Sequence, residues 1–153
     1  MQLFMIFFMI FALIIIIPSA FAELEDDTTA LLDKANEAFD KGQFEDSIFY
    51  IDKILGFQSD NVDALYKKGV VLIAWGKVDE GLEYFDKALE VNPNHLLSLS
   101  AKADQLVKSD RFDEALPYYE KISEIDPNNI SVLFYRGDQL VKSGKTLDAL
   151  QYY

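Results

Sequence analysis

The sequence has no cysteine and only one histidine in 153 residues. Without cysteine, the chain can form neither a disulfide nor a thiolate metal site, so its stability must come from packing. A single histidine excludes a site built from several histidines. Because His95 follows Pro93 in a turn, we expect it to be an exposed turn residue. The sequence therefore predicts no metal and no cofactor.

Motifs that carry chemistry are also missing, since neither a glycine-rich phosphate loop nor the spacing of a calcium loop occurs. Carboxylates are plentiful, but pairs such as Asp79-Glu80 recur with a regular period at the starts of predicted helices. Acidic residues are favoured there by the helix dipole. We therefore predict no catalytic residue. An enzyme would need a catalytic domain elsewhere in a longer parent chain.

Basic residues are scarce: 14 Lys and Arg stand against 26 Asp and Glu, which gives a net charge of -12. Such a surface repels nucleic acid and anionic lipid. The predicted partner is therefore a protein or a peptide and not a nucleic acid.

Residues 3–17 form an uninterrupted apolar run of 15 residues. This is shorter than the roughly 20 residues that a membrane-spanning helix needs. Pro18 ends the run, and the small residues Ala20 and Ala22 precede the acidic linker 23–27. We predict a signal peptide over 1–22, cleaved after Ala22, and a protein that is secreted or lies on the outer face of the cytoplasmic membrane. The alternative is an uncleaved leader that anchors the chain.

From Thr28 onward, the sequence repeats with a period of 34 residues. The predicted units are 28–61, 62–95, 96–129 and a partial unit 130–153. Two columns illustrate the register: Lys34, Lys68, Lys102 and Arg136, and Tyr50, Tyr84, Tyr118 and Tyr152. A period in this range is typical of a solenoid, in which each unit buries its apolar face against its neighbours.

Each unit is predicted to be a helical hairpin. In the second unit, apolar residues at helical spacing run over 62–75 and end at Gly76, and a second helix runs from about Val78 to about Val91. Gly42, Asp110 and Gly144 occupy the place of Gly76 in the other units. Small residues recur where the paired helices should approach most closely: Ala35, Gly69, Ala103 and Gly137 on first helices, and Ser47, Gly81, Ala115 and Ala149 on second helices.

This pattern resembles the tetratricopeptide repeat. Its markers here are Gly69, Leu72, Gly81, Phe85, Ala88 and Pro93, and then Ala103, Leu106, Ala115, Tyr119 and Pro127. The resemblance implies an all-α fold, a right-handed α-solenoid of helix-turn-helix repeats, that serves as a non-catalytic protein-binding scaffold. We expect the lysine column to pack its aliphatic stems while its charges reach solvent.

The resemblance also implies a concave groove, lined by the first helices, that binds a peptide. Its candidate residues are Leu32, Asn36, Phe39, Asp63, Tyr66, Val70, Ile73, Ser100, Asp104, Phe134 and Asp138. Apolar and aromatic residues would form the floor, so a segment with apolar and basic residues is the predicted ligand. Phe39 and Ile73 could equally pack between helices. Only Asn36 matches the carboxylate clamp of some family members, which disfavours that mode.

Two further predictions concern the last part of the chain. The fourth unit stops in mid-helix, so the alternative function is that of a structural or assembly subunit of an envelope-associated complex, contacting partners through its C-terminal end. Asn129-Ile130-Ser131 is a glycosylation sequon in an inter-repeat turn, which makes Asn129 a candidate modification site.

Overall fold

The computed structural model describes residues 28–152, and within that range the chain is all-α with no strand. The eight helices are α1 (28–40), α2 (Phe44–Phe57), α3 (Val62–Ala74), α4 (Val78–Val91), α5 (Leu96–Lys108), α6 (Phe112–Ile125), α7 (Ile130–Lys142) and α8 (Thr146–Ala149), followed by a 3-10 helix (Leu150–Tyr152). The predicted all-α fold and its helical hairpins are thus confirmed.

The chain divides into two compact units, one ending at Phe57 and one beginning at Gln58. In the first unit, α1 and α2 form a hairpin whose buried side chains include Ala38, Ile51 and Ile54. The hydroxyl of Ser47 donates a hydrogen bond of 2.8 Å to the carbonyl of Ala35 and ties the two helices together. A small polar residue can therefore hold the same close contact that glycine and alanine hold elsewhere.

The second unit contains the remaining three hairpins. The helices α3 and α4 pack on each other, α5 packs on α6, and α4 and α6 also contact the first helix of the next repeat. The core of this unit draws on successive repeats and includes Leu82, Phe85, Leu99, Leu106, Ile122 and Val132. Each repeat thus buries its apolar face against its neighbour, as expected for stacked repeats.

Two residues after the end of every first helix stands a residue with positive φ: Gly42 (72°), Gly76 (88°), Asp110 (58°) and Gly144 (78°). Glycine adopts this left-handed conformation without a steric cost, and aspartate tolerates it better than most residues. Within 28–152, Asp110 is the one non-glycine residue with positive φ. The four predicted stop positions are therefore confirmed.

The backbones of α3 and α4 touch at two glycines. A Cβ atom on Gly81 would lie 2.8 Å from the carbonyl oxygen of Gly69, and one on Gly69 would lie 2.6 Å from the ring of Phe85. In the next repeat, Ala103 and Ala115 occupy the equivalent positions and are fully buried. Small residues are therefore required where the paired helices meet.

The lysine and tyrosine columns approach each other in the first three repeats. The Nζ atoms of Lys34, Lys68 and Lys102 lie 6.0, 4.4 and 4.8 Å from the ring centroids of Tyr50, Tyr84 and Tyr118, respectively. Such cation–π pairs add to the packing of the two helices of a hairpin.

One lysine departs from the expectation that its charge reaches solvent. The side chain of Lys102 is only 10% exposed, and its ammonium group pairs with the carboxylate of Asp86 on α4. The expectation was wrong here because a neighbouring repeat supplies a carboxylate that allows the charge to be buried.

No helix within residues 28–152 has the combination of length and apolar character that a membrane span requires. The predicted leader 1–22, its cleavage position at Ala22 and the acidic linker 23–27 lie outside the described residues and stay predictions.

Candidate functional site

In the first unit, the candidate residues Leu32, Asn36 and Phe39 lie on α1 and are half-buried. The ring centroid of Phe39 is 6.1 Å from that of Phe44 on α2. Phe39 therefore contributes to the packing of its own hairpin.

In the second unit, Asp63 on α3 is exposed, whereas Tyr66, Val70 and Ile73 are half-buried. Val70 and Ile73 pack against the core. The side chain of Ile73 also fills the space beside Gly81, since a Cβ atom there would lie 2.5 Å from its Cγ1. Ile73 is therefore a packing residue to a large extent.

Tyr66 connects the candidate surface to the core. Its ring stacks on Phe85 with centroids 5.8 Å apart and an interplanar angle of 26°. Burial raises the pKa of the Tyr66 phenol, because the charged form would lose hydration. Tyr66 thus presents one part of its ring to the surface and keeps the other fixed on Phe85.

The structure corrects the expectation that His95 is an exposed turn residue. Its side chain is only 14% exposed, and its ring lies edge-on against Tyr66 at 5.7 Å. Its Nδ1 atom is 2.8 Å from the hydroxyl of Ser98, and its Nε2 atom is 3.7 Å from Asp63 Oδ1. The turn folds back onto α3 because Ser98 and Tyr66 supply a polar and an aromatic partner for the imidazole.

The imidazole of His95 lies between the hydroxyl of Ser98 and the carboxylate of Asp63. The catalytic triad of serine hydrolases has the same spatial order of nucleophile, base and carboxylate. However, Ser98 is fully buried, with 0% of its surface exposed. A substrate carbonyl cannot approach its hydroxyl, so the three groups join α3 to the start of α5 and do not form an active site.

Asp104 on α5 is an acidic candidate that a tyrosine holds in place. The hydroxyl of Tyr119 on α6 donates a hydrogen bond of 2.6 Å to Asp104 Oδ1. The ring of Tyr119 stacks on Tyr135, with centroids 4.2 Å apart and an interplanar angle of 18°. Burial first, and then the Asp104 carboxylate, raise the pKa of the Tyr119 phenol far above its usual value.

Sequence reasoning named Tyr119 only as a marker of the repeat and missed its bond to Asp104. The sequence nevertheless contains a signal for this hydrogen bond. In the second unit, the two equivalent positions hold Val70 and Phe85, and both become polar together in the third unit as Asp104 and Tyr119. A paired change from apolar to hydrogen-bonding side chains at fixed positions indicates a contact.

The remaining candidates are Ser100 on α5, which is half-buried, and Phe134 and Asp138 on α7. Phe134 is 51% exposed, and Asp138 is exposed as well. Phe134 is thus the candidate aromatic residue with the largest accessible surface. Asp104 on α5 and Asp138 on α7 occupy the same position in successive repeats, whereas Asp63 lies in the first turn of α3.

Two family models described as tetratricopeptide repeat match this sequence, one over residues 62–95 and the other over residues 98–129. The chain is a tetratricopeptide repeat protein. No curated protein sequence matches it.

Solved structures show the same fold. MamA from Desulfovibrio magneticus RS-1, from residue 41 to its end, is 22% identical with a TM-score of 0.70, over 83% of this chain and 73% of that one. A tetratricopeptide repeat protein from Parabacteroides merdae is 19% identical with a TM-score of 0.71, over 83% of this chain and 51% of that one. At these identities the likeness concerns the fold.

Two further predictions concern metal binding and glycosylation of this tetratricopeptide repeat protein. In the described part of the chain, no three His, Asp or Glu side chains cluster in a way that could hold a metal ion. Asn129 lies at the start of α7, where its side-chain oxygen accepts a hydrogen bond of 3.1 Å from the amide of Ser131. Asn129 therefore caps this helix, and its glycosylation stays a prediction.

Tyr119→Phe tests the bond to Asp104. Folding favours the neutral phenol of Tyr119, because its pKa is raised in the folded protein. The contribution of this side chain to stability is therefore complete below pH ~10 and declines as the pH rises above that value. At pH 7, we expect the variant to lose about 1–2 kcal/mol in urea unfolding, because it lacks a hydrogen bond to a carboxylate. The loss should shrink at strongly alkaline pH.

Tyr84→Phe is the matched control, because the Tyr84 ring contacts two lysines and its hydroxyl has no hydrogen bond to any other described residue. If the two variants are equally stable at pH 7 and depend on pH in the same way, the hydrogen bond from Tyr119 to Asp104 does not stabilise the protein as described.

Proposed function

We propose that this protein is a non-catalytic interaction scaffold whose first helices bind a protein segment that carries apolar and basic residues. Tetratricopeptide repeats generally serve as protein-interaction modules, and two of them are identified in this chain. The observation that carries the finer proposal is the carboxylate of Asp104, which Tyr119 holds in a fixed position on α5.

A fixed carboxylate is an efficient acceptor for a partner's lysine or arginine. Its side chain has already lost the rotamer freedom that binding would otherwise remove. The hydroxyl of Tyr119 bonds to one oxygen of the Asp104 carboxylate, and a carboxylate can accept several hydrogen bonds. The excess negative charge of the chain would in addition attract a basic segment and accelerate its association.

Exposed apolar surface would supply the rest of the binding energy. Phe134 offers about half of its surface to a partner, and aromatic residues are frequent anchors in protein interfaces. The proposed ligand therefore combines an apolar side chain for Phe134 with a cation for the acidic residues Asp63, Asp104 and Asp138.

A second candidate function is that of an assembly subunit that contacts its partners through the surface of the last hairpin. Ile130, Leu147 and Leu150 are large apolar residues with 69, 83 and 67% of their surfaces exposed. Large exposed apolar side chains are typical of interaction surfaces when they form a continuous patch, and Leu147 and Leu150 are three residues apart at the end of this hairpin. In that case, the first-helix surface would be incidental.

We also propose that the protein is exported, because residues 1–22 have the composition of a signal peptide. N-terminal sequencing of the protein isolated from its native host tests this. A mature chain that starts at Glu23 is expected. An intact Met1 on membrane-associated protein would instead support the anchored alternative, and an intact Met1 on protein in the cytoplasm would contradict export.

Phe134→Ala and Asp138→Lys separate the two proposed contributions to binding. Partners are captured from an extract of the native host with the unmodified protein, and rate constants are then measured for each variant. Phe134→Ala should accelerate dissociation, with a loss of ~1–3 kcal/mol, because contact area is lost. Asp138→Lys should mainly slow association, because an exposed charge steers encounter.

Leu116→Ala on α6 is a control for loss of an exposed apolar residue on a second helix. Leu147→Ser tests the assembly alternative. If Leu147→Ser abolishes capture while Phe134→Ala and Asp138→Lys bind normally, the partner contacts the last hairpin and the first-helix proposal is wrong.

A further inference from the structure

An open cleft lies between α4 and α6, on the side of the repeats formed by second helices. It has two adjoining lobes of about 450 and 500 Å³, which share Asp86, Pro117 and Tyr118 as lining residues. Leu99, Lys102 and Leu106 of α5 also line it, between the two walls. None of the residues that line this α4/α6 cleft belongs to the predicted groove.

Carboxylates outnumber cations in the cleft. The acidic lining residues are Asp79, Glu83, Asp86, Glu90 and Glu114, and the basic ones are Lys102, Arg111 and Lys121. Two of the three cations already pair with carboxylates that line the cleft. Lys102 pairs with Asp86, and Arg111 donates two hydrogen bonds of 2.7 Å to the carboxylate of Glu114.

Two carboxylates of the cleft remain without a cation. Glu83 and Glu90 have no cationic partner among residues 28–152, and both line the cleft from α4. They are seven residues apart and therefore lie on one face of the helix, ~10 Å from each other. A cation placed between the walls would have acceptors along the length of α4.

Pro117 adds apolar surface to the same cleft. It lies inside α6 and lines both lobes beside Tyr118. Its ring carries no N–H, so this part of the wall offers a partner apolar contact. An acidic wall on α4 thus faces an apolar stretch of α6.

We propose that the α4/α6 cleft is a second interaction surface, which binds an extended peptide segment of a protein partner through a lysine or arginine flanked by apolar residues. The wall from Asp79 to Glu90 is ~16 Å long, which matches about five residues of extended chain. The flanking apolar residues contact Leu89 and the ring of Tyr118. An anionic segment would leave Glu83 and Glu90 unpaired and repelled.

The test is a titration followed by amide NMR shifts, with protein produced from the full-length sequence so that any processing of the leader takes place. The probe is the peptide acetyl-Ala-Leu-Arg-Leu-Ala-amide, and the matched peptide carries Glu in place of Arg. We expect the arginine peptide to cause saturable shifts at Asp86, Tyr118 and Lys121. The glutamate peptide should cause none.

The double variant Glu83→Lys, Glu90→Lys should weaken binding of the arginine peptide at least about fivefold. The control, Asp33→Lys with Asp40→Lys, makes the same change in net charge at the same seven-residue spacing, on exposed positions of α1 that belong neither to the cleft nor to the predicted groove, and should leave the affinity within about twofold. Three results would overturn the proposal: no saturable shifts in the cleft up to ~5 mM peptide, equal binding of the glutamate peptide, or equal weakening in both double variants.

Discussion

The backbones of α3 and α4 meet at Gly69 and Gly81, and this contact sets the distance between the two helices of the hairpin. Neither position has room for a Cβ atom, because the carbonyl of the opposite glycine and the ring of Phe85 occupy that space. The third hairpin has alanine at both equivalent positions, and the first has Ala35 and Ser47, whose hydroxyl donates a hydrogen bond to the carbonyl of Ala35. Close packing of the pair leaves Phe85 buried, where it supports Tyr66.

The sequence was sufficient to predict the helices, their hairpin pairing and the left-handed residues at Gly42, Gly76, Asp110 and Gly144. These features depend on local sequence patterns that recur every 34 residues. The prediction made for one unit is therefore supported by the same pattern in the other units. The family and the all-α fold were predicted correctly for the same reason.

The side-chain contacts of the candidate site were harder to predict. Lys102 is buried because Asp86 of the preceding repeat pairs with it, and His95 is buried because it reaches Ser98 and Tyr66. We expected an exposed charge and an exposed ring because each residue was considered only within its own helix or turn. Burial of these groups depends instead on which side chains a neighbouring helix brings near them, and helical periodicity does not contain that information.

The distribution of charge is consistent with a scaffold that offers acidic surfaces on both sides of its repeats. First helices carry Asp63, Asp104 and Asp138, and the cleft between second helices carries Glu83 and Glu90. Fold likeness alone does not identify a partner. Both surfaces carry carboxylates, so the proposed partner would contact both if it has several basic segments.

The most direct test of the account is the stability of Gly81→Ala. Urea unfolding is followed by far-ultraviolet circular dichroism and by the fluorescence of Trp75, the single tryptophan of the chain. We expect the added methyl group to destabilise the protein by about 1–3 kcal/mol with both probes, because it overpacks the helix contact. Gly56→Ala is the control, since a Cβ atom there meets nothing within 4 Å. It should be neutral or stabilise by up to ~1 kcal/mol. Equal stability of Gly81→Ala and the unmodified protein would contradict the claim that this backbone contact governs the packing of the repeat.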